Sequence, residues 1–99
     1  MAALELARYT VKDGEVDEFL ESWERAVRAI RSAFPGLETA ALARIDETTF
    51  IDFWRWDTRP HAEAAARGAP SVAEAAAMFG HIAEVLTMEH AQIVREDAS

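Results

Sequence analysis

The sequence has no cysteine, no long apolar run and no basic stretch, and each absence removes a class of function. Without thiols there can be no disulfide, no thiolate metal site and no cysteine nucleophile, a pattern that fits a reducing compartment. No apolar segment approaches the roughly 20 residues of a membrane span. The opening MAALELARYT lacks the basic and apolar regions of a signal peptide, so a cytoplasmic protein with no membrane partner is expected. Acids outnumber bases 18 to 10, for a net charge of −8. Nucleic-acid binding needs a basic face to replace counterions on phosphates, and none is present. The three histidines have no spacing that would bring two onto one helical face, so no metal site is expected.

What remains is a globular composition, 51% hydrophobic and 28% charged, over 99 residues, enough for one domain spanning residues 1–99. Leu4–Val11 reads as a strand, and Lys12-Asp13-Gly14 as a turn into a helix. Apolar residues at Val16, Phe19, Leu20, Trp23, Val27, Ile30 and Phe34 fall on one helical stripe, stopped by Pro35-Gly36. Leu37–Ile45 reads as a second strand, and Asp46–Thr49 as a hairpin turn into a third strand, Phe50–Trp56. Asp57-Thr58 offers an N-cap ahead of Pro60 and an alanine-rich helix. Arg67–Pro70 interrupts that helix, and Ser71–Glu74 has the pattern of a capping box that restarts it. The stripe Val72, Ala75, Ala76, Phe79, Ile82, Ala83 and Leu86 predicts helix as far as Leu86. Glu89–Glu96 then reads as the last strand, and Asp97-Ala98-Ser99 as a frayed tail.

The resulting βαββαβ order is that of an α+β, ferredoxin-like domain, with a four-stranded antiparallel sheet carrying both helices on one face. The other face is not uniformly polar, since Leu4 and Leu6 share one parity and Ile51 and Phe53 another. A chain this small with apolar residues on both sheet faces is expected to form a homodimer through the sheet. The third strand, FIDFWRWD, places Phe50, Asp52, Trp54 and Trp56 on one face, and Ile51, Phe53, Arg55 and Asp57 on the other. Each strand also bears one arginine (Arg8, Arg44, Arg55 and Arg95), and cross-strand pairs with Glu5, Asp46 or Glu96 are the simplest use for them.

The element order, the length, the Lys12-x-Gly14 turn and Trp56-Asp57-Thr58 at the end of the third strand resemble the antibiotic biosynthesis monooxygenase family, over about residues 4–96. The resemblance implies a dimeric α+β barrel with a substrate pocket between sheet and helices. It also implies oxidation of a small aromatic, polyketide-like phenol, anthrone or hydroquinone by O₂, with no cofactor. Some members have an asparagine on the third strand and a tryptophan four residues later, both facing the pocket; the matching positions are Asp52 and Trp56, an acid standing in place of the amide.

An apolar pocket would raise the pKa of Asp52 and make it a usable base, with Trp54 and Trp56 as a stacking wall. The alternative is that Asp52 pairs with a strand arginine and the tryptophans simply pack. His81, placed on the flank of the second helix, is a candidate base or oxyanion donor, against the simpler reading of a half-exposed surface histidine. Tyr9, Trp23, Phe79 and His61 are candidate substrate contacts, although Trp23 is core by default and the simpler reading of His61 is a surface residue; His90, at the start of the last strand, is expected to matter only structurally. Haem degradation, found elsewhere in the same superfamily, is disfavoured because Ala7 stands where that branch has asparagine and the second helix has no tryptophan. Two further functions share the pocket: a polyketide cyclase or isomerase using acid–base chemistry without O₂, and a non-catalytic small-molecule-binding accessory protein.

Overall fold

The apolar period after Val16 forms helix α1, Val16–Ala33, in a computed structural model that describes residues 1–97. Asp17 and Glu18 in its first turn and Arg31 in its last oppose the helix dipole favourably. Phe34 ends the helix in an extended conformation, and Gly36 turns the chain with φ +101°. A side chain at Gly36 would be strained by that φ and would also meet Asp57 Oδ1 at 2.4 Å.

Four strands, β1 (Ala3–Val11), β2 (Leu37–Arg44), β3 (Thr49–Trp56) and β4 (Ile82–Gln92), form one antiparallel sheet in the order β2-β3-β1-β4. This is the expected ferredoxin-like βαββαβ topology. Helix α2, Arg59–Gly68, starts at Thr58, whose Oγ1 accepts from the backbone N–H of His61 at 3.3 Å, with Pro60 in the first turn. A 3₁₀ turn at Ala69–Ser71 leads to helix α3, Ala73–Phe79.

Two expectations for this region are corrected. The capping box does not form: Val72 occupies the N-cap with no side-chain bond, and Ser71 belongs to the preceding 3₁₀ turn. The helix also ends at Phe79, and Ile82, Ala83 and Leu86 belong to β4. Three apolar positions at 3.6 spacing suggested helix, but Ile82, Val85 and Thr87 are β-branched, and β1 needs a partner along its second edge. Pairing Ile82–Gln92 with β1 satisfies that ladder, with register shifts that absorb the mismatched period. The last strand thus begins seven residues earlier than expected, and His90 lies near its end rather than its start. Of the expected frayed tail, Ala98 and Ser99 lie outside the described residues.

The parity of β3 follows the expectation. Phe50, Asp52, Trp54 and Trp56 are buried beneath the helices, whereas Phe53 on the opposite face is 37% exposed. The largest fully buried side chains are Trp56, Tyr9, Phe19 and Phe50, each contributing roughly 1.5–3 kcal/mol by burial. Beside Phe19, Val27, Ile30 and Met78, the helices bury small residues against the sheet: Ser22 and Ala26 on α1, Ala62 and Ala65 on α2, and Ala75 on α3. Leu20, expected in the α1 stripe, is 37% exposed. Large side chains below and alanines above leave space between the layers. None of the described helices is long and apolar enough to cross a membrane.

Candidate active site

That space is a cavity of about 190 Å³. Its floor is the helix-facing side of β1 and β3, with Glu5, Ala7 and Tyr9 from the first and Asp52, Trp54 and Trp56 from the second. The ceiling is alanine-rich, with Ala26, Ala65, Ala66, Ala69 and Ala75 beside Ile30 and Met78. Phe79, Val85 and Met88 also line it and remain exposed, so they form the rim.

Asp52 is the centre of this arrangement. It is 5% exposed, and no arginine reaches it. Tyr9 donates its hydroxyl to Oδ2 at 2.7 Å, and Trp23 donates its indole N–H to Oδ1 at 2.7 Å. Both bonds favour the carboxylate, yet desolvation outweighs them and pushes the pKa up from 3.8 to about 6; the nearby Glu5 charge acts in the same upward direction. Tyr9 is correspondingly held neutral, above its ordinary range, by burial and by the Asp52 charge. Near neutrality Asp52 is therefore mostly ionised but much more basic than a surface aspartate, the condition for a general base. Two of the strand arginines are engaged elsewhere. Arg55 is bound by Glu38 and Glu96 on the outer side of the sheet, and Arg44 donates to the Asp46 and Glu47 carbonyls.

Trp56 adds a second polar feature. It is 1% exposed, and its Nε1 is, among the described residues, a buried donor without a partner. An orphaned N–H of this kind costs about 1–3 kcal/mol, and the same residue forms part of the cavity floor. Trp23 and Trp54 meet edge to face with ring centroids 6.2 Å apart, which fixes the indole that clamps Asp52.

The structure thus gathers Asp52, Tyr9, Trp54, Trp56 and Phe79 around one cavity, holds Trp23 behind it through its bond to Asp52, and leaves His81 and His61 away from it. His81 is not on a helix flank facing the sheet; it follows Gly80 in the turn into β4, where Nδ1 lies 2.8 Å from Glu15 Oε1. Its backbone carbonyl accepts from Lys12 N–H at 2.9 Å, so the residue ties the α3–β4 turn to the start of α1. The displacement follows from the early end of α3. His61 lies in the first turn of α2, with Nδ1 2.7 Å from Asp57 Oδ1 on the surface. Glu5 was the residue missed. Its parity with Ala7 and Tyr9 was the available signal, but an expected pairing with arginine masked it; its partner is His90, with Nε2 3.0 Å from Glu5 Oε2.

The molecule is thus an α+β, ferredoxin-like domain that encloses an apolar cavity with the buried carboxylate of Asp52 at its centre. The chain belongs to the antibiotic biosynthesis monooxygenase family, whose model matches residues 3–78. Family membership supports a monooxygenase-type activity without naming a substrate. No curated protein sequence matches the chain. Among solved structures it is similar to SnoaB, a cofactor-independent oxygenase from Streptomyces nogalater, at 18% identity and a TM-score of 0.70, covering 98% of this chain and 95% of that one. It is also similar to Rv0793 from Mycobacterium tuberculosis, at 15% identity and a TM-score of 0.74, covering 99% and 100%. A Bordetella bronchiseptica protein named for the same family gives 23% identity and a TM-score of 0.77, covering 95% and 98%. At these identities the likeness establishes the shared fold.

Proposed function

We propose that the chain is a cofactor-independent monooxygenase that oxidises an aromatic, polyketide-like phenol, anthrone or hydroquinone in the cavity between sheet and helices. The observation that supports this most directly is the basic, arginine-free carboxylate of Asp52 set in an apolar, tryptophan-walled cavity. For an anthrone, Asp52 takes a proton from the ring methylene. The resulting carbanion delocalises onto the ring oxygen, and the unpartnered N–H of Trp56, whose side chain lines the cavity, is the proposed donor to that charge. The carbanion reduces O₂ and forms a C–O bond, giving a peroxide anion that recovers the proton from Asp52. Loss of the remaining C–H proton then forms the carbonyl as the O–O bond breaks, and the departing hydroxide leaves as water. One O₂ is consumed, one oxygen atom enters the product and one leaves as water.

The working unit in this reading is a homodimer joined through the outer sheet face. Leu4, Leu6 and Ile51 lie there half-buried beside the exposed Phe53, in register across β1 and β3. Sedimentation at micromolar concentration should give twice the 11.0 kDa chain mass.

The decisive experiment follows oxygen uptake and product mass with an anthrone under ¹⁸O₂. One labelled oxygen per product and one O₂ per turnover are expected. Ring closure or isomerisation without oxygen uptake would replace the reading with the cyclase alternative, and tight binding without turnover would replace it with the accessory-protein alternative.

A further inference from the structure

Asp52 is not the sole acid in the cavity wall. Glu5 stands on β1 two residues from Ala7 and four from Tyr9, on the same helix-facing side. It is flanked in the sheet by Trp54 of β3 and His90 of β4. The Glu5 and His90 side chains are only 16% and 19% exposed, with a 3.0 Å contact between Oε2 and Nε2. That contact uses one carboxylate oxygen, and Oε1 stands outside it. Burial pushes the Glu5 carboxyl above its ordinary value, against the hydrogen bond and charge of His90, which lower it.

The sheet register fixes where this pair stands relative to Asp52. Ala7 is directly opposite Asp52, and Glu5 directly opposite Trp54, so the two acids are diagonal neighbours across β1 and β3. Such positions are about 7–8 Å apart between backbones, near enough for one aromatic ring to offer a hydroxyl to each acid. Among the described residues, no lysine or arginine lines the cavity to balance them. Two carboxylates without a cation disfavour an anionic ligand and accept hydrogen bonds well, so the complementary ligand is neutral and donates at two points.

We propose that the Glu5–His90 pair is a second ligand anchor, receiving one hydroxyl of a dihydroxylated, hydroquinone-type aromatic whose other hydroxyl lies at Asp52. This rests on the cavity being an aromatic site, and it narrows the substrate class from phenols in general to diols. The pair holds and orients the ring through Glu5 Oε1, while His90 engages Oε2 and fixes the direction in which the carboxyl points.

The test is anaerobic calorimetry with 1,4-dihydroxynaphthalene and 1-naphthol, which differ by one hydroxyl. The wild type should prefer the diol by roughly tenfold or more, the worth of one hydrogen bond to a charged group. Glu5→Met should bind both compounds equally while keeping its affinity for 1-naphthol, and Glu5→Gln should fall between. The His90 ring resonances should move on adding the diol and stay in place on adding 1-naphthol. Retained 1-naphthol binding reports a folded cavity; if Glu5→Met loses it, the isosteric Gln variant decides. A diol preference unchanged by substitution, or absent from the wild type, overturns the anchor and leaves the role of Asp52 standing. Failure of the wild type to bind either compound overturns both. A preserved diol preference with no oxygen uptake overturns the oxygenase reading alone.

Discussion

Replacing Asp52 by asparagine should change how stability depends on pH more than it changes the fold. Asparagine is nearly isosteric and can still accept from Trp23, whose indole is donor-only, while its NH₂ donates to a rotated Tyr9 hydroxyl. The native Asp52 pKa of about 6 lies above its ordinary 3.8, so the folded state holds the proton more tightly than the unfolded chain. Acid therefore stabilises: the contribution is complete below pH 3.8 and is lost as pH rises through about 6. At 1.36 kcal/mol per pH unit the whole window amounts to about 3 kcal/mol, of which about 2 kcal/mol falls between pH 4 and pH 7.5. Asp52→Asn deletes this dependence. Urea unfolding of both proteins at the two pH values should show the variant gaining about 2 kcal/mol relative to wild type at pH 7.5 compared with pH 4. Other titrating groups cancel in that difference, apart from Glu5, whose charge contributes to the upward shift of Asp52. A difference constant to within about 0.5 kcal/mol would refute desolvation as the dominant influence on Asp52. The same variant should lose turnover with little change in ligand affinity, whereas wild-type activity should rise through about pH 6 as the base ionises.

Tyr9→Phe removes a charge-assisted bond and leaves Asp52 Oδ2 short of a donor, so a loss of about 1–3 kcal/mol at pH 7.5 and an activity midpoint above that of wild type are expected from melting curves and a pH–rate profile. Trp56→Phe discards an N–H that has no partner in the free protein; kcat should fall roughly tenfold or more, while the stability loss stays within that of trimming a buried aromatic. His81→Asn breaks the contact with Glu15 on the far side of α3 and should cost no more than about 1 kcal/mol, with oxygen uptake retained; strong loss of turnover would return His81 to the site.

The sequence exposed the fold and the floor of the site because both depend on strong, local periodicities. Alternation alone put Phe50, Asp52, Trp54 and Trp56 on the helix side of β3, and the same parity seated Tyr9 beside Asp52. The end of the second helical region was illegible for a physical reason. Ile82, Ala83 and Leu86 satisfy a helical period, and the strand wins through a ladder with β1 that no local pattern reveals. The misplacement of His81 and His90 followed from that one boundary. The Trp23 bond to Asp52 depends on where α1 crosses the sheet, so spacing could nominate Trp23 but could not tell a packing role from a clamp. Glu5 was hidden differently, since an acid on a strand that also carries Arg8 invites an ion pair, and only the register shows His90 beside it.

The alanines above the cavity have a consequence for how such a domain can diversify. The proton-handling groups all belong to the strands and α1, while Ala65, Ala66, Ala69 and Ala75 set the height of the roof from a different stretch of chain. Each added methylene on that stretch would trim the room for a guest without moving Asp52, Tyr9 or Trp23. Reactivity and size selection are thus written in separable segments, and a change of guest need not pass through an inactive protein.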